Sequence, residues 1–329
     1  MRQRLSTEDY IAGILAGDRI MLSQAITVTE SRLTADKELA AAILKGVLSH
    51  SGRAFRIGIT GVPGVGKSTF IESFGTYLTF LGKRVAVLAV DPSSQKSRGS
   101  ILGDKTRMEK LSHNPQAYIR PSATGLFLGG IAKSTRETML LCEAAGYDII
   151  LIETVGVGQS ETLVKGITDF FLLLMLAGAG DELQGIKKGI IEMADAIAVN
   201  KADGENVQAA ALAVSIYRNA LHLFPKSDSG FATEVLTCSA LQETGMDQIW
   251  NLIQAFEKTT KENGFFDKNR QNQNLHWMHD RIRQSLEDRF YGSPDIIAKL
   301  KSLEKDVMEG KELPDLAADD LLRIFLQKD

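Results

Sequence analysis

Cysteine is scarce in this sequence, and neither sign of charge is in excess. Among 329 residues there are 2 cysteines, Cys142 and Cys238, which are too few for a disulfide scaffold or a zinc cluster. Both lie in apolar helix or strand patterns, which favours buried free thiols in a reducing cytoplasm. Lys and Arg number 38 against 41 Asp and Glu, a net charge of -3, so the chain has no global attraction for nucleic acid or anionic lipid.

Long hydrophobic runs are also missing. The longest, Phe170–Gly180, is shorter than the roughly 18 residues that a membrane helix needs, and it is typical of a strand buried on both faces. The basic start Met1–Arg4 is followed by polar and acidic residues instead of an apolar core, so no signal peptide is predicted. We therefore expect a soluble, cytoplasmic protein with neither a membrane nor a nucleic-acid partner.

The composition that is present, 44 % hydrophobic and 24 % charged, is that of a globular protein. Residues 51–264 alternate short apolar runs with helical stretches. This alternation predicts a three-layer α/β fold with a mostly parallel central sheet. The predicted strands are Phe55–Thr60, Val85–Val90, Ile149–Ile152, Phe170–Leu176, Ala196–Asn200 and, more weakly, Val235–Cys238.

Helical patterns flank this central domain on both sides. Residues 1–50 form a predicted N-terminal helical extension, whose first helix can be capped by Ser6–Asp9. Residues 265–329 form a predicted C-terminal helical arm. Its first stretch, Phe265–Asn274, is polar and rich in Asn and Gln, and we interpret it as a linker. The helices after it are too few to bury a core well alone, so we expect them to pack on the central domain or on a second copy.

A glycine-rich motif follows the first predicted strand. It fits the pattern G-x-x-x-x-G-K-[ST], in which the glycines let successive backbone N–H groups turn toward a phosphate chain. The helix that begins near Lys67 adds the positive end of its dipole. Lys67 is expected to reach the β- and γ-phosphates, and the Ser68 hydroxyl to ligate Mg²⁺. The predicted nucleotide-binding residues here are Gly61, Val62, Pro63, Gly64, Val65, Gly66, Lys67, Ser68 and Thr69.

A second motif, N-K-x-D, indicates which base is bound. It begins at Asn200, at the end of a predicted strand. The Asp203 carboxylate only accepts hydrogen bonds, so it can take both the guanine N1–H and the exocyclic amine, a donor pair that adenine lacks. The stem of Lys201 can lie over the purine ring. A short segment further along resembles the backbone loop that supports the guanine carbonyl in GTPases, and its residues are Ser239, Ala240 and Leu241.

Carboxylates at the ends of two other strands predict a metal and water site. Glu153 begins the sequence E-T-V-G, where GTPases usually have D-x-x-G, and the longer side chain can still carry its charge toward Mg²⁺. Asp91 follows the strand Val85–Val90, where a carboxylate can meet Mg²⁺ or orient the attacking water. Asp104 lies in a Gly/Ser-rich loop whose composition suits either a segment ordered by the γ-phosphate or a solvated loop.

Taken together, the segments GVPGVGKST, VDPSS, ETVGVGQSE and NKAD resemble the MeaB/ArgK family, the GTPase chaperones of adenosylcobalamin-dependent acyl-CoA mutases. The likeness covers essentially the whole chain, although the terminal regions match only in layout. The resemblance implies a P-loop GTPase fold with a C-terminal dimerisation arm and therefore a homodimer. It also implies GTP hydrolysis to GDP that gates cobalamin loading and protects methylmalonyl-CoA mutase.

The same resemblance assigns roles to individual residues. Lys67 and Ser68 fall on phosphate and Mg²⁺, and Asp203 falls on guanine. Leu176–Lys188 matches the family's mobile switch toward the mutase, although a tight strand-to-helix connection is the alternative. The residues that fall on the Mg²⁺ and water network are Asp91, Asp104 and Glu153.

Two other functions remain as alternatives. A metal-insertion GTPase would need a Cys/His metal site, and the sequence does not indicate one. An ATP-dependent kinase linked to amino-acid transport is a label once attached to this family, and the N-K-x-D motif speaks against it. The client mutase, methylmalonyl- or isobutyryl-CoA mutase, is left open by the sequence.

Overall fold

The computed structural model describes residues 4–31, 33–90, 108–121, 128–154, 160–178, 188–225 and 227–326. The chain divides into two compact units, Met1–Arg270 and Gln271–Asp329. Within the described ranges, no helix is both long enough and apolar enough to cross a membrane.

Seven parallel strands form one sheet at the centre of the first unit, in the order β3-β2-β4-β1-β5-β6-β7. Strand β1 lies in the middle, with Gly58 opposite Ile152 of β4 on one side and Phe171 of β5 on the other. The predicted parallel α/β fold is thus confirmed. The strands are β1 Phe55–Gly61, β2 Val85–Val90, β3 Ala117–Arg120, β4 Ile149–Thr154, β5 Phe170–Leu176, β6 Ala196–Asn200 and β7 Glu234–Thr237.

Helices cover both faces of this sheet because alternate strand residues point to opposite sides. Leu172 and Leu174 belong to the core beneath α4, whereas Leu173 and Met175 belong to the core beneath α9. The helices of the first unit are α1 Thr7–Leu15, α2 Arg19–Thr29, α3 Thr34–Val47, α4 Lys67–Phe80, α5 Glu109–His113, α6 Leu128–Ala144, α7 Ser160–Lys165, α8 Lys188–Met193, α9 Val207–Leu221 and α10 Met246–Glu262.

The described residues between positions 4 and 50 are mostly helical, and α1, α2 and α3 pack against one another and against α6. The Ser6 hydroxyl accepts a hydrogen bond from the Asp9 N–H at 3.1 Å, so α1 begins at the predicted cap. Asp18 caps α2 in the same way, accepting from the N–H groups of Ile20 and Met21.

Two details differ from expectation. Strand β3 was not predicted, because it is only four residues long and lies at the edge of the sheet. The stretch Phe265–Asn274 is helical and not a linker, since it begins α11, Phe265–Gly292. Tertiary contacts outweigh its weak helix propensity: Phe266 stacks on Phe55 with ring centroids 6.1 Å apart, and the Arg270 guanidinium lies over the Phe266 ring.

The second unit contains the rest of α11 with α12, Pro294–Met308, and α13, Pro314–Leu326. Its apolar core consists of few side chains. The buried members are Ile296, Leu303, Ala317 and Leu321.

Aspartates hold the amino-terminal edge of the sheet together. Each of three precedes a strand and accepts a hydrogen bond at 2.8 Å from a backbone N–H of the neighbouring chain segment: Asp148 from Arg84, Asp169 from Arg56, and Asp195 from Phe171.

Ion pairs complete this edge, and two are largely buried. Arg56 pairs with Glu143 at 2.8 Å, and Arg270 binds both oxygens of Asp169. The aspartate carboxylates described above also give the backbone N–H groups at this edge hydrogen-bond acceptors.

The Arg56–Glu143 pair generates a stability prediction. Arg56 is 5 % exposed and Glu143 is 3 % exposed, so the substitution Arg56→Met leaves a carboxylate buried without this cation. We expect a loss of about 3–5 kcal/mol in the free energy of unfolding, measured by urea denaturation of the full chain. The control is Lys258→Met, whose exposed pair with Glu262 spans 4.0 Å and should contribute about 0–1 kcal/mol. Equal urea midpoints for the two variants would contradict the assigned role of the buried pair.

Candidate functional site

The predicted motifs meet at the carboxyl edge of the sheet, opposite the aspartates. In a parallel sheet all strand carboxyl ends share one edge, and ligand sites form there. The glycine-rich loop follows β1, Glu153 lies on β4, and Asn200 ends β6.

Backbone geometry explains the glycines of the loop. Gly66 has φ +92 and caps α4, and a Cβ there would lie 3.0 Å from Asn200 Nδ2. Gly61 has φ +153, and a Cβ there would lie 2.5 Å from the Leu174 carbonyl oxygen on β5. Only glycine fits both positions without strain, so the loop can run directly along β5 before it turns into α4.

Lys67 is the first residue of α4 and folds back over the loop. Its Nζ donates to the Gly61 carbonyl oxygen at 2.8 Å. Burial lowers the pKa of Lys67, while the carboxylates of Glu153 and Glu161 oppose that shift. The ammonium therefore sits in a partly desolvated position, where its attraction for an anion is stronger than in water.

Two residues that the sequence predicts as metal ligands, Ser68 and Glu153, lie in contact. The Ser68 hydroxyl donates to Glu153 Oε1 at 3.2 Å, and Glu153 is buried near the end of β4. Hydroxyl and carboxylate oxygens are the hard donors that Mg²⁺ prefers. Within the described ranges, no group of three or more His, Cys, Asp or Glu side chains converges. Asp91 and Asp104 lie outside the described residues, as do positions 179–187 of the predicted switch.

Asn200 joins the glycine-rich loop to the predicted guanine loop. The side chain is 1 % exposed. Its Nδ2 donates to the Val65 carbonyl oxygen at 2.8 Å, and its Oδ1 accepts from the Ala240 N–H at 3.0 Å. One amide thus satisfies backbone groups from two segments that are distant in sequence.

The remaining N-K-x-D residues lie beside this contact. Lys201 has φ +58, a left-handed conformation, and its Nζ donates to the Gly64 carbonyl oxygen at 2.9 Å. Asp203 Oδ2 accepts from the Ser239 hydroxyl, which in turn accepts from the Gln242 N–H at 3.1 Å. The predicted base-binding residues from the two segments are therefore in direct contact.

Three side chains at this edge were not predicted as site residues. Glu161 is buried at the start of α7 and acts electrostatically on Lys67. Thr154 donates to the Thr60 hydroxyl at 2.8 Å, and the Ser73 hydroxyl of α4 donates to the Ala240 carbonyl oxygen at 2.5 Å. Glu161 and Thr154 both lie within the segment ETVGVGQSE and could have been selected from it, whereas no local pattern marks Ser73.

This arrangement defines a P-loop nucleotide-binding protein: a glycine-rich loop joins a central parallel strand to a helix, with Lys and Ser at the helix start. The family model described as "Methylmalonyl Co-A mutase-associated GTPase MeaB" matches residues 22–295. The chain belongs to the MeaB family.

Individual relatives agree with this assignment. The chain is 45 % identical to GTPase ArgK of Escherichia coli over 287 residues, covering 87 % of each protein. It is 44 % identical to the mitochondrial methylmalonic aciduria type A homolog of Mus musculus over 323 residues, 95 % of this chain and 78 % of that one. A crystal structure titled "LAO/AO transport system kinase" superposes with a TM-score of 0.78 at 35 % identity, covering 99 % of both chains.

These comparisons confirm the resemblance stated from the sequence and the predicted activity class. The protein is a MeaB-family GTPase with a P-loop GTPase fold.

Proposed function

We propose that this GTPase acts as a chaperone that gates cobalamin loading and protects an adenosylcobalamin-dependent acyl-CoA mutase, with methylmalonyl-CoA mutase as the first candidate. The observation that carries the proposal is the match of residues 22–295 to a family described as mutase-associated. We also propose that the protein is cytoplasmic, because its two cysteines are free and buried, as is usual in a reducing compartment.

In this proposal GTP binds along the carboxyl edge of the sheet. The loop Gly61–Thr69 holds the phosphates with its backbone N–H groups, and Lys67 exchanges the Gly61 carbonyl oxygen for phosphate oxygens. Asp203 accepts from guanine, Lys201 covers the ring, and the backbone of Ser239–Leu241 meets the guanine carbonyl. The contact between Asp203 and Ser239 supports this assignment because it places both elements at one position.

The residues at the phosphate end also fit Mg²⁺. The Ser68 hydroxyl and the Glu153 carboxylate would hold the ion, and we keep Asp91 and Asp104 in this group on their sequence positions. When bound, Mg²⁺ neutralises charge on the phosphates. Lys67 stabilises the same developing charge from the loop side, and Asp91, Asp104 and Glu153 form the proposed network that orients the attacking water.

Base choice tests the guanine assignment. We expect wild-type protein to bind GDP far more tightly than ADP. The variant Asp203→Asn should lose roughly tenfold or more in GDP affinity and gain affinity for xanthosine diphosphate, because an amide can donate to the xanthine carbonyl. Competition binding with the three nucleotides measures both effects. Asp247→Asn, an exposed carboxylate at the start of α10, is the control and should match wild type. Equal wild-type affinity for ADP and GDP would contradict the assignment and favour the transport-kinase alternative.

The mutase partnership is tested by phosphate release. Ras-like GTPases place a water-orienting Gln directly after D-x-x-G, whereas Val157 follows Gly156 here. Isolated protein should therefore turn over slowly, and its cognate mutase should accelerate release several-fold by ordering the site. Lys67→Ala should reduce both rates by about two orders of magnitude without loss of circular dichroism signal. If no adenosylcobalamin-dependent mutase of the same organism changes the rate or binds in a nucleotide-dependent manner, the chaperone proposal is wrong.

We further propose that residues 265–329 are a dimerisation arm. Four apolar side chains of α11 follow one another at helical spacing and are about half exposed: Leu275 56 %, Met278 50 %, Ile282 48 % and Leu286 56 %. A continuous apolar stripe of this kind is costly in water and is covered when two copies pair.

Charge within the stripe should separate the copies. We expect wild type to be a dimer and Ile282→Glu to have a mass near the monomer value of 35.9 kDa in light scattering after size exclusion. Leu223→Glu alters an isolated Leu that is 85 % exposed after α9, and this control should remain dimeric. A wild-type monomer, or an Ile282→Glu dimer, would overturn the proposed arm.

A further inference from the structure

The backbone of Ala240 is held on both sides by buried side chains. Its N–H donates to Asn200 Oδ1 at 3.0 Å, and its carbonyl oxygen accepts from the Ser73 hydroxyl at 2.5 Å. All three residues are buried, with exposures of 4 % for Ala240, 1 % for Asn200 and 7 % for Ser73. Water therefore cannot substitute readily for either bond.

The Ser73 contact is unusual for a helical serine. A buried hydroxyl in a helix commonly donates to a carbonyl one turn earlier in the same helix. Thr79 of α4 does this toward Thr76, and Thr260 of α10 does it toward Phe256. Ser73 instead reaches a carbonyl 167 positions away. The Ser73 hydroxyl therefore connects two distant segments, whereas a bond within its own helix would only satisfy its hydrogen-bonding capacity.

These bonds form a closed ring with the glycine-rich loop. Asn200 Nδ2 donates to Val65 in that loop, and α4 starts directly after the loop at Lys67. Ser73 lies on α4 about 1.7 turns after Lys67. Starting from Val65, the ring runs through α4 to Ser73, then to Ala240, then through Asn200 back to Val65. It spans the phosphate end and the base end of the proposed nucleotide site.

Contacts within the turn Ser239–Thr244 fix the shape of that turn but not its position relative to α4. Ser239 and Thr244 exchange two backbone hydrogen bonds at 3.1 Å, which closes the turn. Gly245 has φ +80, and a Cβ there would lie 2.7 Å from the Thr237 carbonyl oxygen, which keeps the turn close to β7. Ser73 supplies a direct hydrogen bond between this turn and α4, beside the Asn200 bond and the packing of Ala240 in the apolar core.

We propose that Ser73 is a positioning residue for nucleotide binding. Its hydroxyl holds the Ser239–Leu241 segment at a fixed distance from α4, the helix that follows the glycine-rich loop. The inference rests on the proposed assignment of that segment to guanine. A segment held in place before the nucleotide arrives loses less conformational entropy on binding, so its support contributes to affinity and not to the chemical step.

The test compares Ser73→Ala with Thr79→Ala, which removes another buried hydroxyl from the same helix. Ser73→Ala should raise the Kd for GDP and the KM for GTP by about tenfold, the size of one buried hydrogen bond, with kcat within about twofold of wild type. Thr79→Ala should lower the melting temperature but leave Kd and KM unchanged. Ser73→Thr keeps the hydroxyl and should restore most of the affinity.

A second variant covers the case in which Ser73→Ala does not fold. Ser73→Cys keeps a similar volume and only a weak donor, so it should show a smaller rise in the same two constants. Kd and KM at wild-type values in the folded Ala or Cys variant would overturn the inference, even with a lower melting temperature, since they would show a structural role alone. Failure of the proposed base site is recognised separately, because Asp203→Asn would then leave GDP affinity unchanged.

Discussion

The side-chain amide of Asn200 is the contact on which the nucleotide site depends. It is fully buried at the end of β6 and provides one donor to Val65 and one acceptor to Ala240. An aspartate would lack the donor, and a leucine would leave both backbone groups unsatisfied, which is costly in a dry environment. The glycine-rich loop and the Ser239–Leu241 segment, which lie at opposite ends of the proposed site, are joined here.

Charged and polar side chains lie at both edges of the sheet, but they have different partners at each edge. At the amino edge, Asp148, Asp169 and Asp195 accept from backbone N–H groups, and Arg56 and Arg270 balance buried carboxylates. These side chains bind partners within the fold itself. At the carboxyl edge, Lys67 donates to the Gly61 carbonyl oxygen at 2.8 Å, and the Ser68 hydroxyl donates to Glu153 at 3.2 Å. Under the proposed assignment, the bonds at the carboxyl edge are exchanged when an anion and a cation bind. The groups that stabilise the fold and the groups that would bind the ligand therefore lie at opposite edges of the sheet.

Local sequence signals account for most of what could be predicted. Long apolar runs identify the central strands, and the motifs at Gly61–Ser68 and Asn200–Asp203 are contiguous, so their spacing alone indicates a P-loop fold and a GTPase. Strand β3 carries too few residues for its pattern to stand out. The stretch Phe265–Asn274 has a linker's composition, but its helix is consolidated by Phe55 and Asp169, more than ninety positions earlier in the chain. The roles assigned to the site residues stay predictions.

Contacts made by common residue types are the other limit. The Ser73 hydroxyl meets a backbone carbonyl, and carbonyls have no sequence signature at all. The same holds for Thr60 and Thr154, whose hydroxyls pair between adjacent strands β1 and β4. Such contacts follow from the register of the sheet and the axis of α4, which are properties of the assembled fold.

The bond between Ser239 and Asp203 has a consequence for how a carboxylate selects a ligand. One oxygen, Oδ2, is occupied by the hydroxyl, and this restricts rotation of the group about its Cβ–Cγ bond. Both carboxylate oxygens are then held in one orientation, and each keeps a lone pair that can accept from a ligand. Under the proposed assignment, discrimination between purines depends on this torsion angle as well as on charge. A glutamate at position 203 would keep the negative charge but not the fixed orientation of the carboxylate. Its extra methylene would move both oxygens away from the Ser239 hydroxyl that orients them.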